Sequence, residues 1–556
     1  MNIQKKDSHL PDYARVEREE MLIGIGYADE AIGRPQIGVV SSWGEINPAS
    51  ANLDKVVASA KAGIWAAGGT PREFVISALC TSMAGNDNYH LPHRDLIAGY
   101  IEAVAKTNLF DGLLFLPVCD DVIPGHLMAA ARLNLPSIFV TGGYMSLNKY
   151  KGQVVQPLDV APTYFKAYKE KRISREEFRQ MRHRGCRGGG ACPVMGTANT
   201  MASMVEALGM SLTGTATLPG TDSRLIRSAF DAGRQLVELI QANIRTSDIL
   251  TPDAFKNAIG VLMAIGGSPN AVLHLTAIAA ELDIALEPET FDEISRKTPF
   301  IADVAPSGSA KYHLGDFDEA GGIAALMKEI LPLIAGEVMT VTGRSLEENL
   351  AAIDSGDRKI IHSIDAPLAA TGGLAFLRGN LAPGSALIKI SAVPKKMMYH
   401  RGPARIFQTE DHACEALDDN RIQPGDVVIV RNVGTIGAPG MGLQQRFLWQ
   451  LSAKGYQDKV AFLTDGRLSG TNKGCAIAHI SPEAASGGPL AIIEEGDIIE
   501  IDVANRELNM ELSPEEIEER LKTWKPTPTK TEPGFLSIYS KMANPADKGS
   551  ALNYKE

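Results

Sequence analysis

Cysteine is scarce in this chain, with six in 556 residues, at positions 80, 119, 186, 192, 414 and 475. So sparse a set makes no disulfide framework, and no Cys-x-x-Cys pair occurs, which excludes zinc-ribbon and thioredoxin-type motifs. A metal site would have to gather its ligands from distant segments, as enzyme cores do. Long apolar runs are also missing: nothing approaches the ~18 consecutive apolar residues of a membrane-spanning helix. The opening Met-Asn-Ile-Gln-Lys-Lys-Asp-Ser-His-Leu-Pro lacks the apolar run of a secretion signal and the Arg/Ser-rich pattern of a transit peptide, so cytoplasm is the expected compartment. Positive charge is not in excess. Lys and Arg number 55 against 66 Asp and Glu, a net charge of −11, which argues against nucleic acid or an anionic membrane as partner. No Walker motif occurs and no Gly-x-Gly-x-x-Gly follows the first apolar run, so a nucleotide is not expected either.

What is present is ordinary globular composition, 44% hydrophobic and 22% charged. The length exceeds what one core supports and predicts two large domains. Apolar strand-like runs at 36–43, 73–79, 112–119 and from Ser137 alternate with helical spacing at 53–67, 94–106 and 125–133. That alternation predicts an α/β domain, a parallel sheet with helices on both faces. Ligands of such sheets bind beyond the carboxyl ends of the strands, where Cys119 and Asp120 fall. The pattern from 196 to 350 is mostly helical, including 197–210, 229–243 and 270–282. After about 366 the strand runs 386–390, 426–431, 460–464 and 497–502 are separated by Gly/Pro turns, predicting a smaller, β-barrel-like domain. We therefore divide the chain at 1–365 and 366–556. Residues 525–533 read as a short extended tail.

Cys119-Asp120-Asp121-Val-Ile-Pro-Gly-His resembles the Cys-Asp-Lys-x-x-Pro-Gly signature of the dihydroxy-acid and sugar-acid dehydratases, the IlvD/Edd family. The resemblance runs over nearly the whole chain. It continues through Trp43-Gly-Glu-Ile-Asn-Pro, Ala191-Cys192-Pro-Val-Met-Gly-Thr-Ala-Asn-Thr and Gly266-Gly-Ser-Pro-Asn-Ala. Thr371-Gly-Gly-Leu-Ala-Phe, Gly437-Ala-Pro-Gly-Met, Asp465-Gly-Arg-Leu-Ser-Gly-Thr and Ser481-Pro-Glu-Ala-Ala-Ser-Gly-Gly-Pro complete the series. It implies a dehydratase-type lyase that cleaves a C–O bond in a small 2,3-dihydroxy or sugar acid. It also implies a homodimer whose smaller domain closes over the pocket of the larger. In that family an iron–sulfur cluster acts as Lewis acid on the C3 hydroxyl, a divalent metal holds the carboxylate and C2 oxygen, and a serine removes the C2 proton.

Carried over residue by residue, Ser469 is the expected base, and Cys119 and Cys192 are two of three expected ligands to a 2Fe–2S cluster. Asp120 keeps one metal position. The third cysteine position is Ala49, the bridging lysine is Asp121, a ligating glutamate is Leu443, and Leu79 or Cys80 replaces an aspartate. Such a set should not build the usual magnesium shell. Cys80 or Cys186 can replace the lost thiolate if the fold brings one close; otherwise Cys80 is a small buried hydrophobe and Cys186 a loop thiol. A rebuilt metal site is also open, using Asp120 and Asp121 with Asp87, His90, His93 or His126, since imidazole plus carboxylate suits Zn²⁺, Mn²⁺ or Fe²⁺. The plain alternative has loop histidines and Asp121 as a helix cap. Gly188-Gly-Gly-Ala is a candidate anion nest or a structural Gly-rich turn, Arg378 and Arg467 are candidate carboxylate clamps or solvated or ion-paired residues, and His274 reads as a core histidine. Two rival readings remain: a lyase, hydratase or isomerase without the metal chemistry, and a non-catalytic paralogue that binds a related acid.

Overall fold

The strand Gln36–Ser41 (β1) is buried at every residue, and the rest of the first sheet is built around it. The computed structural model describes residues 10–80, 83, 87–157, 160–526, 531 and 533–555, so the first nine residues and part of the expected tail lie outside it. Thr70–Val75 (β2), Gly112–Leu116 (β3) and Ser137–Phe139 (β4) join β1 in the order β2-β1-β3-β4, every pair parallel. This is the expected α/β arrangement. The second strand, however, occupies 70–75 and not 73–79. It is an edge strand carrying Pro71, Arg72 and Glu73, so its residues alternate in exposure and its apolar signal is weak. The apolar residues that follow leave the sheet at its carboxyl end.

The crossover helix Leu53–Ala66 packs on the long helix Ser223–Ala242 through glycines. A Cβ on Gly63 would stand 2.0 Å from the Phe230 carbonyl oxygen, and one on Gly233 would stand 2.2 Å from that of Ala60. Only glycine permits this approach. The long helix begins earlier than its apolar spacing predicts because the Asp222 side chain accepts the Arg224 N–H at 2.8 Å and caps it. Pro252–Ile265 and Asn270–Glu281 are nearly buried throughout, which is why their sequences read apolar on all faces. A small antiparallel hairpin, Asn148–Tyr150 (β5) with Gln153–Val155 (β6), packs on the helix Arg175–Gly185.

The second sheet has eight strands: Ala375–Leu377 (β7), Ser385–Ile388 (β8), Tyr399–Phe407 (β9), Val427–Val430 (β10), Ala461–Thr464 (β11), Ala476–Ser481 (β12), Ile498–Asp502 (β13) and Glu507–Met510 (β14). Their order is β14-β13-β9-β10-β11-β12-β8-β7. Just beyond β7, the Arg378 N–H donates to Arg506 O at 3.0 Å and Arg378 O accepts from the Leu508 N–H at 2.8 Å. The two edges thus meet, and the sheet closes as the expected barrel. Alternate residues separate its two cores. Val427, Ile429 and Leu463 face the interior cluster, while Val428, Val430 and Phe462 pack outward under the helices Glu410–Asp418 and Arg446–Ala453. Among the described residues no helix is long and apolar enough to cross a membrane.

Candidate active site

The chain leaves β3 through Pro117 and Val118 and turns at Cys119, whose φ of 82° lies in the left-handed region. A side chain there costs roughly 1–2 kcal/mol. The turn sets Cys119 and Asp120 at the sheet's carboxyl end before the helix Val122–Leu133 begins. From the other domain, the loop after β11 brings Ser469 and Thr471. Cys80, Cys119, Asp120, Cys192, Leu443, Ser469 and Thr471 line one cavity. The expected base and the expected thiols therefore share a pocket. A larger cavity adjoins it through Val194 and Thr471.

Ser469 Oγ accepts the Thr471 N–H at 3.3 Å and lies 2.9 Å from Thr471 Oγ1. Behind the loop, the buried Lys389 Nζ donates to the Gly470 carbonyl at 2.9 Å. Burial pulls that ammonium down to about 7. Neither Thr471 nor Lys389 was predicted as a site residue. The signals were available, however: a hydroxyl two residues after Ser469, and a lone lysine in the apolar run Ala386-Leu-Ile-Lys-Ile.

Asp120 accepts a backbone hydrogen bond from Ala198, near the start of the helix Thr197–Ala207. Burial, then the neighbouring Asp121 charge, push its carboxyl up to about 6. Asp121 does not cap its helix: it makes no side-chain cap bond and its own backbone is helical, with φ −87° and ψ −6°. Its carboxylate turns inward. Arg467 Nη1 approaches Oδ1 at 3.3 Å, His90 Nδ1 lies 3.1 Å from Oδ2, and His274 Nε2 lies 3.4 Å from Oδ1. Burial opposes its ionisation, but the Arg467 charge and the His90 hydrogen bond outweigh burial and hold it well below the usual carboxylate range. Burial likewise pulls His90 down, but its bond to Asp121 together with the Asp121 and Asp120 charges more than reverses this and raises it. Arg467 also donates to Met441 O at 2.8 Å, and a β-bridge sets Leu443 beside it.

His93 and His126 are drawn toward neutrality, each to about 4, mainly by burial. His126 is turned away from the carboxylates: its Nδ1 contacts Val122 O at 2.8 Å and its ring meets Phe115 edge-on. The side chain of Asp87 lies outside the described residues. His274 is the expected core histidine, fully buried, with its Nδ1 3.4 Å from Arg94 Nη1 and its Nε2 3.4 Å from Asp121 Oδ1.

Two further expectations are corrected. The glycine-rich turn is no anion nest, because the Gly189 and Gly190 N–H groups donate to Pro48 O and Ala49 O, both at 2.9 Å. Arg378 is no clamp, because it pairs with Glu289 on the surface and closes the barrel.

The family model described as dihydroxy-acid/6-phosphogluconate dehydratase N-terminal matches residues 34–349, and its C-terminal counterpart matches residues 359–550. The chain belongs to this family. Relatives of the same family align end to end. A protein named dihydroxy-acid dehydratase from Acetivibrio thermocellus is 43% identical over 97% of this chain and 98% of its own. Another of that name from Moorella thermoacetica is 42% identical over 99% and 100%. One from Ruminiclostridium cellulolyticum is 43% identical over 95% and 96%.

Proposed function

We propose that this dehydratase-family protein removes water from a small 2,3-dihydroxy carboxylic acid, with Ser469 taking the C2 proton. The observation that carries the reading is the shared cavity of Ser469, Cys119, Asp120 and Cys192. Full-length similarity to proteins named dihydroxy-acid dehydratase supports the substrate class.

The donor set near Cys119 and Cys192 fits an iron–sulfur group: both sulfurs are soft, partly buried and on the same cavity. When bound, such a group supplies a Lewis acid that loosens the departing hydroxyl. The chain's own residues do the rest. The Ser469 oxygen is oriented by the Thr471 N–H and hydroxyl, which also stabilise negative charge on it. The lysine behind the loop holds the Gly470 carbonyl, and with it the angle at which Ser469 faces the cavity.

A family-type divalent-cation shell does not fit. Asp120 and Asp121 are both present at the expected place, but the Asp121 oxygens are committed to Arg467 and His90, and Leu443 offers no oxygen. Among the described residues no three Cys, His, Asp or Glu side chains are grouped to hold a metal ion. We therefore assign no step to magnesium.

The test is Ser469→Ala, assayed against a panel of 2,3-dihydroxy acids by formation of 2-keto acid. Turnover should fall by two or more orders of magnitude (~10²-fold or greater) with ligand affinity and folding retained. Rates close to wild type would remove Ser469 from the reaction.

A further inference from the structure

The loop that carries Ala49 and the segment that carries Cys80 are tied together by one side chain. Asn47 Oδ1 accepts the Ala49 N–H at 2.9 Å, and Asn47 Nδ2 donates to Leu79 O at 3.0 Å. The same side chain hydrogen-bonds the Cys119 sulfur. Asn47 is itself buried, so this three-way junction is a fixed part of the cavity wall. Its effect is to set Cys80, the residue after Leu79, on the cavity that Cys119 and Cys192 already line. We propose that Cys80 is the third thiolate of this site and that Cys80, Cys119 and Cys192 together hold an iron–sulfur group. Cys80 thereby takes over the role that Ala49 cannot perform.

Two facts favour this over a cysteine packed as a small hydrophobe. Cys80 borders the cavity and is only partly buried, as Cys119 and Cys192 are, whereas Cys414 and Cys475 are sealed in the barrel's two cores. The three sulfurs come from three separate segments, as the ligands of a metal group in an enzyme core do. On binding, each S–H is exchanged for an S–Fe bond with the proton released to solvent. Cys186 is the weaker rival, since it is exposed at the end of the helix Arg175–Gly185 and does not line the cavity.

The inference deepens the dehydratase reading but is tested by a different readout. The full chain is purified without oxygen and supplied with ferrous iron and sulfide. Iron, acid-labile sulfide and visible absorbance are then measured for wild type, Cys80→Ala, Cys80→Ser and Cys186→Ala, with circular dichroism to confirm folding. Wild type and Cys186→Ala should carry matching iron and sulfide. Cys80→Ala should lose at least ~10-fold, the scale of losing one ligand's contribution to a metal site. Cys80→Ser should keep part of the iron with a shifted spectrum, since oxygen replaces sulfur. A folded Cys80→Ala variant with full iron and an unchanged spectrum overturns the assignment. Full iron in wild type, lost in Cys80→Ala, with no turnover of any dihydroxy acid, would uphold Cys80 and sink the proposed reaction instead.

Discussion

Arg467 Nη1 lies 3.3 Å from Asp121 Oδ1, although the two residues are 346 positions apart. One comes from the loop after the barrel strand β11 and the other from the end of the β3 turn, and each is at most 2% exposed. The contact ties the carboxyl end of the parallel sheet to the barrel. A buried charge that loses its partner costs about 3–5 kcal/mol, far more than the pair gains over a well-packed apolar couple.

Asp121→Asn should therefore destabilise the protein by roughly 3 kcal/mol, because Arg467 keeps its charge and loses its counter-ion. The urea midpoint measures this. The double variant Asp121→Leu with Arg467→Met should recover much of the loss. A single variant as stable as wild type would mean that the pair contributes nothing to the fold.

Turnover should not depend on magnesium. With Asp121 engaged by Arg467 and Leu443 beside it, prolonged dialysis against a chelator should leave the rate within about twofold. Titration calorimetry should show no stoichiometric Mg²⁺ binding. A tight single-site isotherm would reverse this assignment.

Thr471→Val removes one hydroxyl partner of Ser469 and leaves the backbone N–H in place. Losing that donor makes the ionised, proton-accepting form of Ser469 costlier by about 1.5–3 kcal/mol, so kcat should fall about 10- to 100-fold with KM little changed. A rise in KM at constant kcat would show that Thr471 serves binding alone.

Lys389 sets a pH dependence of stability. Burial lowers it to about 7 in the folded chain, whereas a free lysine titrates near ~10.4. Between those values the unfolded state binds the extra proton, so this residue makes stability rise with pH across that window and level off below it. Lys389→Met should flatten that slope in denaturation curves taken from about pH 7 to 10. It should also lower turnover, because the Gly470 carbonyl loses its anchor. An unchanged slope would place the titration elsewhere.

The carboxyl-terminal segment closes the buried side of the same network. Arg94 Nη2 donates to Gly549 O at 3.0 Å and Ser550 O at 2.9 Å, Tyr539 donates to Ser550 O, and the Leu552 N–H reaches Asp95 Oδ1 at 2.9 Å. Deleting residues 549–556 strands the Arg94 guanidinium, and hydrogen bonds to a charged group are worth ~1.5–3 kcal/mol each. The expected result is a lowered thermal midpoint and faster proteolysis. Unaltered thermal unfolding would make the tail dispensable.

The strands β1, β3, β4, β8, β10, β11 and β13 could be read directly from the sequence because their apolar residues are buried, whereas β12, equally buried, was not read. Strand β2 was misplaced because an edge strand with polar residues carries little periodic signal. At the site, Ser469, Cys119 and Cys192 were readable from their motifs. The roles of Asp121, Arg378 and the Gly188–Gly190 turn stayed open in the sequence, because each has several local uses and only its partner decides among them. Asp121 stood as a metal ligand or a helix cap; its carboxylate instead faces a guanidinium from the barrel loop.

The sequence alone determined which chemical groups this protein owns: a serine in a dehydratase loop, two thiols at strand and loop ends, and alanine, leucine and aspartate where other donors were expected. Local order of residues carries that information because motifs are contiguous. Only the tertiary structure decided which groups meet. It turned Asp121 toward Arg467, anchored Gly470 on Lys389 and brought Cys80 to the cavity of Cys119 and Cys192. These contacts span tens to hundreds of residues, and they arise from the closing of a sheet and a barrel against each other, which no local pattern encodes.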